Sequence, residues 1–235
     1  MTAAVTLRGV GYRYPDGTPA LHDIDLDVAA GERVAVLGPN GAGKSTLMLH
    51  LNGVLVPVSG TVTIHDVELS RKTAREIRRR VGVVFQDPDD QLFMPTVAQD
   101  VAFGPANFGV DEGELDARVD EALAAVGMKA LADRAPGRLS VGERRRAALA
   151  TVLSCRPDVL VLDEPSANLD PVARRELAEV LCTLDTTLLL VTHDLPYAAR
   201  ICERAVLLDE GRIVADRPIT ELLGDTALLA QHRMS

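Results

Sequence analysis

The sequence predicts an α/β fold with a central parallel sheet, and three observations support this prediction. Short apolar runs without alternating polar residues recur along the chain, as in strands that are covered on both faces. Helical patterns separate these runs, which is the order expected of βαβ units. One apolar run leads directly into a glycine-rich turn and a helix, an arrangement that places a ligand at the carboxyl end of such a sheet.

The first part of the chain alternates strands and turns around one helix. Ile24, Leu26 and Val28 alternate with polar residues and stop at a turn containing Gly31, which predicts a half-exposed strand. The elements predicted after it are a buried strand at 33–37, a helix at 45–55, a short strand through Val62 and Ile64, and a buried strand at 81–85. The glycine-rich turn therefore joins the strand at 33–37 to the helix.

Between about residues 87 and 155 a helical pattern replaces the strands. Leu115, Val119, Ala122, Leu123 and Val126 recur at the spacing of one helix face, which predicts an inserted helical subdomain. The elements predicted after it are buried strands at 159–162, 187–191 and 205–208, helices at 172–184 and 195–202, a hairpin that turns at Glu210-Gly211 into 213–215, and a short helix at 219–223. No internal repeat or flexible linker is evident.

Composition and charge exclude several classes of protein. With 47% apolar and 25% charged residues among 235, the chain is predicted to be globular, and neither disordered nor fibrous. The formal net charge of −9 makes a nucleic-acid partner unexpected. The N-terminus carries no basic and then apolar signal, and no apolar run approaches the roughly 18–20 residues that span a bilayer, so we expect a soluble cytoplasmic protein.

The cysteines and histidines show no spacing typical of metal ligands. Cys155, Cys182 and Cys202 lie far apart, and we expect buried thiols in a reducing compartment rather than disulfides. The five histidines share no ligand spacing with one another or with the cysteines. A structural metal site is therefore not expected.

Residues 38–46 contain the phosphate-binding pattern G-x-x-x-x-G-K-[ST], which Gly38 to Ser45 match and Thr46 follows. The predicted phosphate loop consists of Gly38, Pro39, Asn40, Gly41, Ala42, Gly43, Lys44, Ser45 and Thr46. Glycines let successive N–H groups turn inward around phosphate oxygens, and the start of the helix adds partial positive charge. Lys44 is predicted to reach the β- and γ-phosphates and Ser45 to ligate Mg²⁺. The alternative is an ordinary glycine turn.

Two carboxylates, Asp163 and Glu164, directly follow the buried strand at 159–162. They are expected beside the phosphate loop, because ligands of parallel sheets bind at the carboxyl ends of the strands. Asp163 is predicted to hold Mg²⁺, and Glu164, one residue further, to polarise an attacking water. Taken alone, the pair could equally be a solvated strand end.

Three further segments accompany these motifs. They are Leu139-Ser-Val-Gly-Glu143 at the start of a basic helix, Ser166-Ala-Asn-Leu-Asp170 after the carboxylates, and His193 at the end of the strand at 187–191. Together with the phosphate loop, in this order over essentially the whole chain, they resemble the ATP-binding cassette (ABC) family. The resemblance implies ATP and Mg²⁺ as cofactors and a P-loop NTPase fold with a RecA-like parallel core, an N-terminal antiparallel β subdomain and an inserted α-helical subdomain. It also implies a single domain over 1–235, with the α/β core at about 1–86 and 156–235 and the helical subdomain at about 87–155.

The resemblance also implies roles for side chains around ATP. Tyr14 would stack on adenine, with Tyr12 as the alternative, and His193 would contact the γ-phosphate. Gln86 would lie near Mg²⁺ and the attacking water. Each has a simpler alternative: a turn aromatic for Tyr14, a histidine packed under the following helix for His193, and a polar strand end for Gln86.

The segment at 139–143 would serve the nucleotide of a second subunit. Within it, Ser140 and Gly142 would bind the γ-phosphate of the partner's nucleotide, and Asp170 is implied as a further nucleotide-site residue. The segment departs from the usual LSGGQ, because Val141 replaces the first glycine of the pair and Glu143 replaces glutamine. A β-branched residue does not readily take positive φ, so either position 141 is helical or extended, or the loop is weakened.

The arginines that follow, Arg144, Arg145 and Arg146, have two interpretations. They could add positive potential behind the loop at 139–143. The alternative is a solvated helix face.

Residues 86–109 contain three of the four phenylalanines, Phe93, Phe103 and Phe108. Core packing and an aromatic groove for a partner protein are the two interpretations. Together with the sequences HLNG at 50–53 and GVVF at 82–85, this segment resembles the ATPases of energy-coupling-factor importers, which serve cobalt, nickel, biotin and related vitamins.

The narrower resemblance implies a function. It implies an ATP hydrolase that drives uptake of cobalt or nickel ions through separate transmembrane subunits, from the cytoplasmic face of the membrane. The other ATPase of the pair would be a second copy or a paralogous subunit, and no nucleic acid is expected. Biotin or another vitamin is the alternative cargo. The alternatives of other classes are a soluble ABC ATPase acting on nucleic acid or the ribosome, and a P-loop kinase.

Overall fold

The computed structural model describes residues 3–234, which form two compact units. The first unit contains residues 3–81, 158–163 and 185–234 of this range. The second contains Gly82–Pro157 and Glu164–Leu184. The chain therefore passes between the units at Val81, at Pro157, between Asp163 and Glu164, and at Leu184.

The described chain contains ten strands: β1 (Ala3–Arg13), β2 (Pro19–Ala29), β3 (Arg33–Leu37), β4 (Ser59–Ile64), β5 (Val67–Glu68), β6 (Val81–Val84), β7 (Val159–Asp163), β8 (Thr187–Val191), β9 (Arg204–Asp209) and β10 (Arg212–Pro218). Its nine α-helices are α1 (Lys44–Leu51), α2 (Ala74–Arg80), α3 (Val97–Asn107), α4 (Glu112–Ala125), α5 (Val141–Leu153), α6 (Pro171–Thr183), α7 (Leu195–Ile201), α8 (Ile219–Gly224) and α9 (Thr226–Gln231). Short 3₁₀ turns lie at Pro88–Asp90, Lys129–Leu131 and Pro136–Arg138.

A four-stranded antiparallel sheet with the order β2-β1-β4-β5 lies in the first unit. In its central strand, Leu7 is paired with Leu26 on one side and with Val62 on the other. These side chains are buried, as are Ile24 and Ile64. The predicted strands around Ile24 and Val62 are confirmed, and they share this sheet.

The larger sheet positions the phosphate loop. The part of it in the first unit has the order β10-β9-β3-β8-β7. Strand β3 runs parallel to both β8 and β9, and β7 runs parallel to β8. Every residue of β7 and β8 is buried, which explains their continuous apolar sequence. The predicted parallel core is confirmed, and so is the terminal hairpin, in which β9 and β10 turn at Glu210 and Gly211, both with positive φ.

The second unit is built around the helices α3, α4 and α5. On α4 the buried residues are Val119, Ala122 and Leu123, the face that the periodicity predicts. Thr96 begins α3 by accepting a hydrogen bond from the Gln99 N–H at 3.3 Å. The prediction of a helical segment after Gln86 is therefore confirmed for this unit.

Some details of the prediction are wrong. Helix α1 ends at Leu51 and not at 55, because Asn52 leaves the helix and Gly53 has φ of 69°. Cys182 is exposed and Cys155 is only half-buried, so of the three thiols Cys202 alone matches the expected burial. None of them forms a disulfide. Within residues 3–234, no helix is both long and apolar enough to cross a membrane.

Candidate active site

The phosphate loop in the first unit connects β3 to α1. Gly38, Gly41 and Gly43 have φ values of 153°, 82° and 102°, which residues with a Cβ rarely adopt. A Cβ on Gly38 would lie 2.1 Å from the Leu208 carbonyl oxygen. Glycine is therefore favoured by conformation at all three positions and required by space at Gly38, which suits the curved backbone of a phosphate loop.

Lys44 is held inside this loop. Its side chain is only 7% exposed, and its Nζ donates hydrogen bonds to the carbonyl oxygens of Gly38 at 2.6 Å and Pro39 at 2.9 Å. These bonds link the start of the loop to Lys44 and hold its ammonium group near the start of α1. A cation there, together with the N–H groups at the helix start, suits phosphate oxygens.

Ser45 and Asp163 bring a hydroxyl and a carboxylate together. The Ser45 Oγ donates to the Asp163 Oδ2 across 3.5 Å, and Asp163 is the last residue of the buried strand β7. Hydroxyl and carboxylate oxygens are ligands that Mg²⁺ prefers. The pair fits a Mg²⁺ ion that also binds phosphate oxygens. Within residues 3–234, no group of three or more His, Cys, Asp or Glu side chains is arranged to hold a metal by itself.

Tyr14 contacts the C-terminal end of the phosphate loop. Its hydroxyl shares a hydrogen bond of 2.9 Å with the Thr46 hydroxyl. Its ring packs edge-on against Tyr12, and Tyr12 packs edge-on against His50, with ring centroids 5.2 Å and 4.7 Å apart. The buried His50 Nδ1 is 2.7 Å from the Thr46 carbonyl oxygen. Tyr14 is therefore anchored to the loop by its hydroxyl, while Tyr12 packs beside His50.

His193 follows β8 and lies in the first unit with the phosphate loop. Its side chain is exposed, two residues after the strand ends and just before α7. Asp194 begins α7 by accepting from the Tyr197 N–H at 3.1 Å. The cap fixes the backbone next to His193, and the predicted strand-end position is confirmed.

Glu164 begins a tight turn in the second unit. It is buried and has φ of 44°, a left-handed value that is uncommon outside glycine, and Asn168 also has positive φ. The Ala167 N–H donates to the Glu164 carbonyl oxygen at 3.0 Å, which closes the turn. A strained backbone at a buried acidic residue is the kind of feature that functional sites retain.

Ser140 and Glu143 form a capping box at the start of α5. The Ser140 Oγ accepts from the Glu143 N–H at 3.3 Å, and the Glu143 carboxylate accepts from the Ser140 N–H at 2.7 Å. Val141 is the first helical residue and is partly exposed. Of the two alternatives at this position, the structure shows the helical one, so a β-branched residue is accommodated there.

Gly142 and Asp170 lie on either side of a cavity in the second unit. The cavity has a volume of about 460 Å³, and Ser140 and Asn168 also line it. A Cβ on Gly142 would lie 2.8 Å from the Ala173 Cβ, so this glycine allows α5 and α6 to approach closely. The Asp170 Oδ1 accepts from the Val172 and Ala173 N–H groups at 2.8 Å and 3.0 Å, and so caps α6.

Arg145 contradicts one interpretation of the arginine run, the solvated helix face. Its side chain is only 2% exposed, and the positive potential behind the loop at 139–143 stays a prediction. It donates to three main-chain carbonyl oxygens: Nη1 to Phe85 at 3.1 Å and, in a shorter contact, to Gln86, and Nη2 to Ala167 at 3.2 Å. The Gln86 side chain is exposed. The neighbouring Arg146 pairs with Glu176 at 2.6 Å.

The burial of Arg145 was not predicted from the sequence, although a signal was present. Arg145, Ala148, Leu149 and Val152 have the i, i+3, i+4, i+7 spacing of a helix face, and all four are buried. The same helix also binds Gln91, whose Nε2 donates to the Ala148 carbonyl oxygen at 2.8 Å. The helical period thus places an arginine among core positions.

Phe93 and Phe103 form an exposed aromatic pair in the second unit. Their ring centroids are 4.9 Å apart with the planes at 88°, and the residues are 60% and 44% exposed. Core packing, one of the two interpretations, does not hold for these two rings. The Asp100 Oδ1 accepts from the N–H groups of Phe93 at 3.0 Å and Met94 at 2.9 Å, which fixes the segment that carries the first ring.

The structure thus groups the predicted site residues by unit. The first unit brings together Lys44, Ser45, Thr46, Asp163 and Tyr14 around one loop. The second brings Ser140, Gly142 and Asp170 to one cavity. Arg145 joins the backbone at Gln86 to the turn that begins at Glu164, also in the second unit.

Comparison with known proteins identifies relatives along nearly the whole chain. A family model described as ABC transporter matches residues 21–167. A Streptomyces coelicolor protein, named as a candidate ABC transporter ATP-binding protein, is 58% identical over 99% of this chain and 89% of its own length. The cobalt import ATP-binding protein CbiO of Rhodobacter capsulatus is 47% identical over 98% of this chain and 84% of that protein. The energy-coupling factor transporter ATP-binding protein EcfA of Methanothermobacter thermautotrophicus is 46% identical, over 96% and 74% respectively.

Solved structures agree with the fold. The chain superimposes on cbiO1 of Clostridium perfringens, described as part of the ABC transporter complex cbiONQ, with a TM-score of 0.88 and 37% identity over 98% of this chain and 94% of that one. It also superimposes on the ATP-binding cassette MJ0796, solved as a dimer in a post-hydrolysis state bound to ADP and Pi. The TM-score is 0.81, with 27% identity over 92% of this chain and 98% of that one. The predicted P-loop NTPase fold is confirmed.

Proposed function

Because this chain belongs to the ABC transporter family, whose ATPase subunits hydrolyse ATP to drive transport, we propose that it energises an importer of the energy-coupling-factor type. The cargo we propose is cobalt or nickel ions, carried by separate membrane subunits. The chain would then be a peripheral protein on the cytoplasmic face of the membrane. Relatives named for cobalt import and for energy-coupling factors, aligned over 98% and 96% of this chain, support the proposal.

The first unit supplies the nucleotide-binding half of the proposed site. Tyr14 stacks on adenine, and the N–H groups of the phosphate loop and the Lys44 ammonium bind the phosphates. Ser45 and Asp163 would hold Mg²⁺. Gln86, which belongs to the second unit, is the third proposed protein ligand. Bound Mg²⁺ would neutralise charge on the β- and γ-phosphate oxygens.

Hydrolysis in this proposal depends on three side chains. Glu164 accepts the proton of the attacking water. Its position, one residue after the proposed Mg²⁺ ligand Asp163, suits this role. His193 donates a hydrogen bond to the γ-phosphate, and Gln86 orients the water. Replacement of any of them is expected to slow the chemical step more than it weakens ATP binding.

The second unit supplies the surface that faces another ATPase subunit. Ser140 and Gly142, on the cavity that Asp170 shares, bind the γ-phosphate held by that subunit. The start of α5 carries the partial positive charge of a helix N-terminus, which favours an anion. The dimeric solved cassettes support such a pair, formed by a second copy or by a paralogous subunit.

One observation carries the proposal that this ATPase drives a separate membrane protein. Phe93 and Phe103 are exposed as an edge-to-face pair, and Asp100 fixes the segment that carries Phe93. An exposed aromatic pair on a fixed segment is typical of a protein-binding surface. We place the docking contact with the membrane subunits there.

Co-purification from native membranes tests this proposal. The tagged chain is isolated with its partners in detergent, the partners are identified, and the complex is assayed in proteoliposomes for uptake of Co²⁺, Ni²⁺ and biotin. Membrane partners and ATP-dependent uptake of Co²⁺ or Ni²⁺ are expected. Uptake of biotin alone would move the proposal to a vitamin importer. Recovery of ribosomes or nucleic acid in place of membrane proteins would contradict the proposal. We do not expect this result, because the net charge of −9 disfavours a nucleic-acid partner.

A further inference from the structure

Arg145 is a buried cation that the motifs of the family do not explain. Its guanidinium group is almost fully enclosed and faces main-chain carbonyl oxygens from two separate segments, 85–86 and 167. A buried charge is costly unless it is hydrogen-bonded. The role of this arginine is therefore sought in the two segments whose carbonyl groups it holds.

The first segment it contacts carries Gln86. Nη1 donates to the Phe85 and Gln86 carbonyl oxygens, so the backbone at Gln86 is tied to α5. Gln91 reinforces this link, because its Oε1 accepts from the Phe85 N–H at 3.3 Å while its Nε2 donates to the Ala148 carbonyl of the same helix. The Gln86 side chain is left exposed on an anchored backbone.

The second segment is the turn that begins at Glu164. Nη2 of Arg145 donates to the Ala167 carbonyl oxygen, and the Ala167 N–H in turn donates to the Glu164 carbonyl oxygen. Both Glu164 and Asn168 have positive φ in this turn. A strained turn persists only where its surroundings hold it, and the guanidinium group is one such support.

We propose that Arg145 is a positioning residue for ATP hydrolysis, which fixes the backbones of Gln86 and of the Glu164 turn to the helix that begins at Ser140. This inference rests on the proposed roles of Gln86 and Glu164. The planar fork of arginine serves carbonyls of two segments with one side chain, which a lysine ammonium on a flexible stem does not reproduce. A change at any one of the three segments is thereby transmitted to the other two.

The test compares Arg145→Met and Arg145→Lys with the wild type. Arg118→Met is the matched control, because it removes a half-buried guanidinium that pairs with Glu114 on α4 in the same unit. We expect Arg145→Met to lower ATP turnover about 10²-fold, since small misplacements of reacting groups cost this much, and to change ATP affinity by less than about threefold. Amide hydrogen exchange is expected to accelerate at 85–90 and 166–170. The turnover and exchange of Arg145→Lys should lie between those of the wild type and Arg145→Met. The control Arg118→Met should match the wild type.

Several outcomes would overturn the inference. Turnover of Arg145→Met within about threefold of the wild type would do so, as would a parallel loss of turnover, ATP affinity and melting temperature with exchange raised throughout. If Arg145→Met does not fold, Arg145→Lys decides: wild-type turnover and exchange at both segments contradict the role. Glu164→Gln is assayed beside them. An active Glu164→Gln would refute the proposed base, whereas active Arg145 variants beside an inactive Glu164→Gln refute only this inference.

Discussion

The Glu143 carboxylate closes the first turn of α5 by accepting a hydrogen bond from the Ser140 N–H at 2.7 Å. This bond lowers the pKa of the Glu143 carboxyl below its usual range, and the positive charges of Arg134 and Arg146 lower it further. The substitution of glutamate for the glutamine usual in this family segment therefore keeps the cap and adds a titrating group to it.

Replacing Glu143 tests the cap through its pH dependence. We expect Glu143→Ala to cost about 1 kcal/mol of folding stability near neutral pH, and Glu143→Gln, which still accepts from the Ser140 N–H, to cost less. A carboxyl with a depressed folded-state pKa stabilises above its unfolded pKa and loses that contribution as pH falls through the folded value. Denaturant unfolding at about pH 7 and in acid should show the Glu143→Ala deficit shrink in acid. An equal deficit at both pH values would contradict the cap.

At the residue scale, sequence patterns predict side chains that meet a ligand better than those that position the backbone. The phosphate loop and Asp163 were predictable because their spacing is fixed by a rigid ligand and by the end of a buried strand. Arg145 was not, because an arginine in a run of three is normally solvated. Its burial depends on carbonyl groups at Gln86 and Ala167 that are distant in sequence.

Strand β1 was not predicted from the sequence, because its irregular pairing interrupts the alternation of apolar and polar residues. Its pairing with β2 and β4 contains several register shifts, one of them between Leu7 and Val10, where Gly9 has φ of 57°. Each bulge adds a residue and breaks the period of two on which prediction depends. Helix α2 also went unpredicted, since four of its seven residues are arginines and only Ala74 and Ile77 are buried. The uninterrupted apolar patterns of β7 and β8 and the regular helical pattern of α4 were predicted correctly.

Phe93 lies just before α3 and Phe103 lies on this helix, and the docking role proposed for the exposed aromatic pair makes a prediction. Truncating Phe93 or Phe103 to Ala removes apolar surface that is already in solvent, so we expect little loss of stability. Isolated ATPase activity should also stay near normal, while transport by the assembled complex falls. Melting temperature, ATPase activity and uptake are measured on the same two variants.

The result for a structural role would be different. Truncating a buried phenylalanine to alanine lowers folding stability by about 3–5 kcal/mol. Hydrolysis and transport would then fail together. A large drop in melting temperature for both variants, or full transport in both, would refute docking at this pair.

For the whole molecule, the proposed division of the site between two ATPase subunits predicts that ATP promotes dimer formation. A loop that serves the nucleotide of a neighbouring subunit is useful only in a symmetric or pseudo-symmetric pair. Because ATP would gain contacts with Ser140 and Gly142 only in the closed pair, it should favour the dimer through differential affinity. Glu164→Gln is the variant to use, since slow hydrolysis would keep ATP bound.

Light scattering of Glu164→Gln without nucleotide, with ADP and with ATP measures this directly. We expect the monomer mass in the first two conditions and twice that mass with ATP. Ser140→Ala placed in the same background should weaken the dimer, whereas Ser70→Ala, which changes a loop hydroxyl that bonds only locally to Thr73, should not. The monomer mass in all three conditions would contradict the shared site.

ATP turnover of the wild type and of Glu164→Gln, at saturating ATP and Mg²⁺, tests the proposed roles of Asp163, Glu164 and the phosphate loop in ATP hydrolysis. We predict that the wild type hydrolyses ATP and that Glu164→Gln is slower by about 10²–10⁴-fold, with ATP affinity largely unchanged, because only the proton acceptor is lost. Turnover of Glu164→Gln within about threefold of the wild type would contradict the assignment of Glu164 as the base.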